Sequence, residues 1–413
     1  MARIDVLMSY QIKKKQYMRF PLIILLVVYL LFTTADLSTS FQSGFRDADR
    51  SSVHKYLIIV TGYLLAYTVF NSSNLKIRQP LGSLFTIAIW TMFVNLASGV
   101  STWGFLVQAN MSVLWVLSYL FFEHTRLKDS DNHSSINLFA YILFIFYAVS
   151  TIYYFFDMMV RMNRVPVLNV IYYFISLLPW LMIKTHSKYK KWIYILSLVV
   201  VLFSMKRGAI IALPLMILAD SFVESRKHGS TKGFFKILAF IIVFVIALYI
   251  ADKLSNGFIS ERFSADDLAS GSGRSEQFST VIDIIKNRSL FEFTFGCGSE
   301  NVVKILGTGV HNEWLSFLFS YGLIGALLYA DLVIGFVKKS IQVLKVCPAL
   351  ASPCFMMTIL YLVLSMVSTG YGGYVGFWLF GFWGYLNAEL DIKLNTNSMS
   401  GGNVDEVVQR GAV

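Results

Sequence analysis

Three short stretches of the chain gather the residues best suited to chemistry. The first is Ser204-Met205-Lys206-Arg207-Gly208-Ala209, two adjacent cations inside about thirty otherwise apolar residues from Trp192 to Phe222. That run is too long for one bilayer crossing. It reads either as a tight hairpin tip whose Lys206 and Arg207 snorkel to water, or as cations facing a water-filled cavity. The second stretch is Arg274, approached through the flexible Ser270-Gly271-Ser272-Gly273. The third is His311-Asn312-Glu313-Trp314-Leu315, preceded by Gly307-Thr308-Gly309-Val310. With an ordinary pKa of about 6.5, His311 is the side chain best able to take a proton at neutral pH; an interfacial polar anchor is the plainer reading. A fourth group, Asp47-Ala48-Asp49, is either a metal-binding acidic pair or, between Arg46 and Arg50, a solvated and self-paired charge cluster.

These residues must be held by helices in lipid. Of 413 residues, 56% are hydrophobic and only 14% charged, too few charges to cover a soluble domain of that size. The formal charge of +11 does not form one patch. Basic residues recur in short clusters between apolar runs, the pattern of topology signals rather than of a nucleic-acid surface. Cys297, Cys347 and Cys354 show neither metal spacing nor a disulfide framework. Lys13, Lys14, Lys15 and Arg19 precede an apolar run from Phe20 to Ala35 with no convincing cleavage site, which predicts a retained first helix. Further runs at about 55–70, 84–101, 105–122, 136–157, 167–183, 192–205, 208–222, 235–251, 313–336, 353–369 and 375–389 predict roughly twelve spans.

Sidedness follows from charge. With the N-terminus inside, 22 of the 35 Lys and Arg fall in cytoplasmic segments and 13 in outer ones, six of the latter in one long loop. Long loops do not govern topology. Both termini are therefore expected in the cytoplasm. The expected organisation is an all-α polytopic membrane domain over 1–393, a long polar outer loop over 252–312, and a flexible cytoplasmic tail over 394–413. No internal repeat is evident, and Asp157, Asp220, Asp331 and Glu389 sit near span ends rather than mid-span. Both points count against a carrier built from duplicated halves with a midplane carboxylate. Within the loop, Phe278, Val281, Ile282 and Ile285 recur as one face of a short amphipathic helix, lying on the membrane surface or capping a cavity. Phe295-Gly296-Cys297-Gly298 predicts a tight turn with close backbone approach, and Gly322-Leu323-Ile324-Gly325 a small-residue face for helix packing.

The order of these elements resembles the O-antigen polymerase and ligase superfamily of bacterial membrane glycosyltransferases. A basic hairpin with Arg207-Gly208-Ala209 is followed by a long loop opening with Gly273-Arg274. A Gly-x-Gly turn comes next, and then His311-Asn312-x-x-Leu315 with Gly322-x-x-Gly325. The resemblance is concentrated in residues 204–325; Lys206 before Arg207, and Phe278 rather than Trp after Arg274, depart from the common pattern. It implies a fold like that of the GT-C glycosyltransferases in the bacterial inner membrane, with the active site facing the periplasm. It also implies a glycan donor and acceptor linked through diphosphate to undecaprenol, an acceptor hydroxyl attacking the anomeric carbon, and departure of undecaprenyl diphosphate. Arg207 and Arg274 then take the diphosphate, since planar guanidinium groups bind phosphate oxygens bidentately, and His311 takes the acceptor proton. Lys206, Arg161, Arg164 and Asn312 are secondary candidates for substrate contact. No metal or cofactor is implied; membrane lipids, a chain-length regulator and a flippase are the implied partners. Polymerase is favoured over ligase, and a flippase or exporter of lipid-linked glycans is the rival from another class.

Overall fold

The computed structural model describes residues 79–128, 133–162, 165–183, 187–228, 232–264, 274–307, 309–368, 371 and 375–399, with Val27, Gly62 and Ala66 singly. Among the described residues all regular structure is helical, in fourteen helices. Seven come first: α1 (Leu81–Ala97), α2 (Thr102–Lys128), α3 (His133–Met162), α4 (Ile171–Met182), α5 (Ser187–Ser204), α6 (Arg207–His228) and α7 (Lys232–Leu254). Four short ones follow: α8 (Phe258–Arg262), α9 (Arg274–Lys286), α10 (Leu290–Phe295) and α11 (Ser299–Leu306). The last three are α12 (Glu313–Val346), α13 (Pro348–Val367) and α14 (Gly376–Met399). Each apolar run expected between 84 and 389 falls on one of α1–α7 or α12–α14. The two N-terminal runs lie almost wholly outside the described residues. Four stretches are long and apolar enough to cross a membrane by length and composition: Ile136–Arg161, Arg207–Arg226, Glu313–Val346 and Pro348–Val367.

Helices are what such sequences must form, because lipid offers no partner for a backbone N–H or C=O. Two helices depart from the simple spans expected. The first, α4, has only 12 residues, all of them buried. At about 18 Å it is shorter than a hydrocarbon core of roughly 30 Å. In contrast α12 has 34 residues, about 51 Å against a hydrocarbon core of roughly 30 Å. It is broken at Gly322, whose φ of 68° and ψ of −171° are not helical. The Gly322-x-x-Gly325 stretch is therefore not a continuous packing face. Only Gly325 packs as expected, against Tyr321 and the Trp90 indole. At its other end α14 runs on to Met399, past the expected start of the tail at 394; residues 400–413 lie outside the described residues.

The tightest helix pair is α2 with α14. A Cβ on Gly384 would collide with the Tyr119 carbonyl, and one on Gly381 would lie 2.5 Å from Phe122 Cδ2. Around them Trp115, Trp180, Trp378 and Trp383 are buried in one continuous core. The carboxylates near span ends tie helices together. Glu389 accepts from Arg126 Nε at 3.0 Å and from the Tyr385 hydroxyl at 3.0 Å. Asp220 takes Lys190 at 3.2 Å, the Tyr194 hydroxyl at 2.7 Å and the Ser352 hydroxyl. Buried charges with this many partners act as latches between helices, since removing one partner leaves the other charge stranded.

Candidate active site

The site begins at the break between α5 and α6. There Met205 takes a left-handed φ of 52° and donates its N–H to the Leu202 carbonyl at 3.2 Å. The Ser204 carbonyl accepts from Leu168 N at 2.9 Å, which pins the approach to α4 against the hairpin. The chain thus reverses within two residues, as the basic hairpin reading requires. The Lys206 ammonium lies over the Tyr172 ring, 5.6 Å from its centroid, a cation–π seat rather than a snorkel into water. Beside it, a Cβ on Gly208 would collide with the Tyr172 hydroxyl and lie 2.8 Å from Val367 Cγ2. Glycine is required here by closeness, not by φ.

Two further elements converge on the same place. Arg207 Nη1 donates to the Arg262 carbonyl at 2.7 Å, fixing α6 to the end of α8. Arg274, the first residue of α9, donates from Nη1 to the Val367 carbonyl at 3.2 Å. Asn312 donates from Nδ2 to the neighbouring Met366 carbonyl at 3.2 Å, while its Oδ1 accepts from Leu315 N at 3.0 Å. Asn312 is therefore the N-cap of α12. The C-terminus of α13 offers the unsatisfied carbonyls that draw both groups in. His311 stands just before that cap in a left-handed conformation, φ 54°.

Electrostatics confirms the convergence. Burial, then repulsion from Arg274, Arg262 and Arg207, brings the Lys206 pKa down to about 8. Burial, then Arg274 and Lys206, holds His311 below its ordinary value. At neutral pH His311 is thus chiefly the free base, the form that accepts a proton. Four basic side chains crowded this closely favour an anion bound among them. Among the described residues no three His, Cys, Asp or Glu side chains cluster as metal ligands.

The loop residues are docked rather than draped. The break at Gly322 releases the carbonyls of the preceding turn, and three consecutive ones are taken from outside the helix. Phe319 O accepts Arg288 Nη1 at 2.6 Å, and Tyr321 O accepts Trp90 Nε1 at 3.0 Å. Between them, Ser320 O accepts Cys297 N at 3.1 Å and Gly298 N at 2.9 Å. The expected Gly296-Cys297-Gly298 turn is there, with Gly296 at φ 86° and Gly298 at φ 84°. Above this turn Val281 and Ile285 of α9 are buried with Val302, Val310 and Phe319, and Phe278 packs against them. Ile282, expected on that face, is 39% exposed. The apolar face of α9 thus caps the first segment of α12, not a lipid surface.

Other expected residues fall elsewhere. Arg161 is largely exposed and pairs with Asp157 at 2.6 Å on α3. Arg164, Asp47 and Asp49 lie outside the described residues. Sequence reasoning missed Tyr172, Arg262 and Arg288. It also passed over the buried Glu313, whose Oε2 accepts the Tyr329 hydroxyl at 2.8 Å. The fold and site together define a helical protein of membrane type with a basic, histidine-containing site where its long loop meets the bundle. Residues 192–330 match the model of a protein family described as O-antigen ligase, consistent with the O-antigen polymerase and ligase superfamily. That family implies a membrane enzyme of the glycosyltransferase kind. The match covers Lys206, Arg207, Arg262, Arg274 and His311. No curated protein matches the chain.

Proposed function

We propose that the protein is a polysaccharide polymerase, joining oligosaccharide repeats carried on undecaprenyl diphosphate at the outer face of the cytoplasmic membrane. The observation that carries this reading is the convergence of Lys206, Arg207 and Arg274 with His311, whose pKa burial and the neighbouring cations lower. His311 takes the proton from the acceptor sugar hydroxyl as its oxygen bonds to the donor's anomeric carbon. The bond from that carbon to the diphosphate oxygen breaks, and undecaprenyl diphosphate departs with the electron pair. Arg207 and Arg274 bind the growing negative charge, with Lys206 adding a third cation.

A ligase that passes the finished chain to lipid A–core uses the same donor chemistry, and the description of the matching family favours keeping it as the second reading. The surface glycan of a deletion strain separates the two. One capping repeat on the core means polymerase, and bare core with long lipid-linked polymer means ligase. Lipid-linked repeats trapped on the cytoplasmic face would overturn both and point to a flippase.

A further inference from the structure

A pocket of about 610 Å³ opens between α9, α10 and α11, and none of the four clustered cations lines it. Its walls carry Asp283 and Glu292, Asn287 and Asn301, and the guanidinium of Arg288, with Ile284 and Ile305 between them. Arg288 is held rigidly: its guanidinium lies 3.9 Å from the Phe319 ring centroid, Nη1 donates to Phe319 O and Nη2 to Cys297 Sγ at 2.9 Å. An arginine has five N–H donors, so several remain for a ligand. We propose that this pocket is a saccharide subsite, holding a sugar ring remote from the reacting anomeric carbon; the assignment rests on the glycosyl-transfer reading above.

The chemistry of the lining selects the ligand class. Two carboxylates disfavour a phosphate, and the fixed guanidinium disfavours a bare cation. A neutral polyhydroxyl ring fits both, because each hydroxyl donates to a carboxylate while accepting from an amide or guanidinium. Ile284 and Ile305 offer apolar contact to the C–H face of such a ring. Position fits as well. Helix α9 starts at Arg274, and Thr280 and Asp283 of the pocket lie about 9 and 14 Å further along its axis. Arg274, Phe278, Val281 and Ile285 share one face of α9, while Thr280 and Ile284 occupy the adjoining flank and Asp283 the opposite side, with Asn287 just past the helix end. A glycan whose diphosphate sits at Arg274 therefore meets the pocket by following α9 around that flank, a length a short oligosaccharide covers.

The test uses the full chain in lipid nanodiscs and, as probe, the oligosaccharide released by mild acid from the host strain's lipid-linked repeats. Asp283 is well exposed and only loosely paired with Lys286 at 3.8 Å, and exposed Asn287 gives up one hydrogen bond to the Asp283 carbonyl at 2.9 Å, so an Asp283→Ala, Asn287→Ala double variant keeps the fold. Saturation-transfer titration should show binding to the wild type, and binding at least about tenfold weaker to the double variant. A His311→Ala protein should bind the probe as the wild type does. Equal binding by the double variant, or no transfer to the wild type at millimolar probe, would overturn the subsite. Failure of the transfer reading looks different: His311→Ala would polymerise normally while the double variant still lost the sugar.

Discussion

Replacing Gly322 by Ala should undock the loop while leaving the bundle in place. The native φ of 68° and ψ of −171° belong to a region that only glycine occupies easily, costing another residue about 1–3 kcal/mol. A Cβ there would also collide with the Thr294 carbonyl and lie 2.6 Å from Gly296 N. Relieving that clash moves the turn off α12, losing two hydrogen bonds to Ser320 O, about 1 kcal/mol each. The sum, about 3–5 kcal/mol, raises the undocked population at least about 100-fold. Cys297 reports it directly. Its thiol is half-buried, hydrogen-bonded by Arg288 and pushed up in pKa by burial, so it reacts slowly while the loop is docked. A membrane-impermeant maleimide, with the site read by mass spectrometry, should label Cys297 far faster in Gly322→Ala. The buried Cys347 and Cys354 should stay unlabelled. Gly309→Ala is the control, since a Cβ there meets nothing within 4 Å. Wild-type labelling in Gly322→Ala would refute the argument that released carbonyls hold the loop.

Three further outcomes follow from the site. The Lys206 charge is present below its pKa of about 8 and is lost above it. Hence kcat/KM for the lipid-linked donor should fall as pH rises through about 8, and Lys206→Arg should abolish that alkaline limb; an unchanged profile would remove Lys206 from donor binding. His311 is held below its ordinary value, so the acidic limb should lie below pH 6.5, and a limb above that pH would contradict its exposure to Arg274 and Lys206. Tyr172→Phe keeps the ring under Lys206 and removes only the hydroxyl, which neighbours Ser368. It should change stability by less than about 1 kcal/mol and retain polymer formation, whereas Tyr172→Ala should lose both the seat and activity; equal activity in the two variants would show that the ring does not place Lys206.

Much of the architecture was legible because lipid imposes it. Apolar runs located ten helices, and the two cations at Lys206 and Arg207 marked the hairpin between α5 and α6. The glycines of Gly296-Cys297-Gly298 announced a close approach, and the approach is to Ser320. What stayed hidden depends on contacts between distant segments. Gly322 resembles any packing glycine until α12 is seen to need a break, and only then do Phe319, Ser320 and Tyr321 have carbonyls to give. Tyr172 lies 34 positions before Lys206, in a helix indistinguishable by pattern from its neighbours. Arg288 reads as a loop charge, and its stacking on Phe319 has no signature along the chain. The apolar run expected at 313–336 has the length of a single span, so neither the break at Gly322 nor the further turns to Val346 could be read from it.

The central claim is that His311 acts as base within a cluster of cations that receives a leaving diphosphate. Its most direct test is single-turnover polymerisation by the purified protein in nanodiscs, with lipid-linked repeats as donor and acceptor. His311→Ala should form no polymer while its helical content and donor binding match the wild type. Polymer formation by His311→Ala at the wild-type rate would contradict the account.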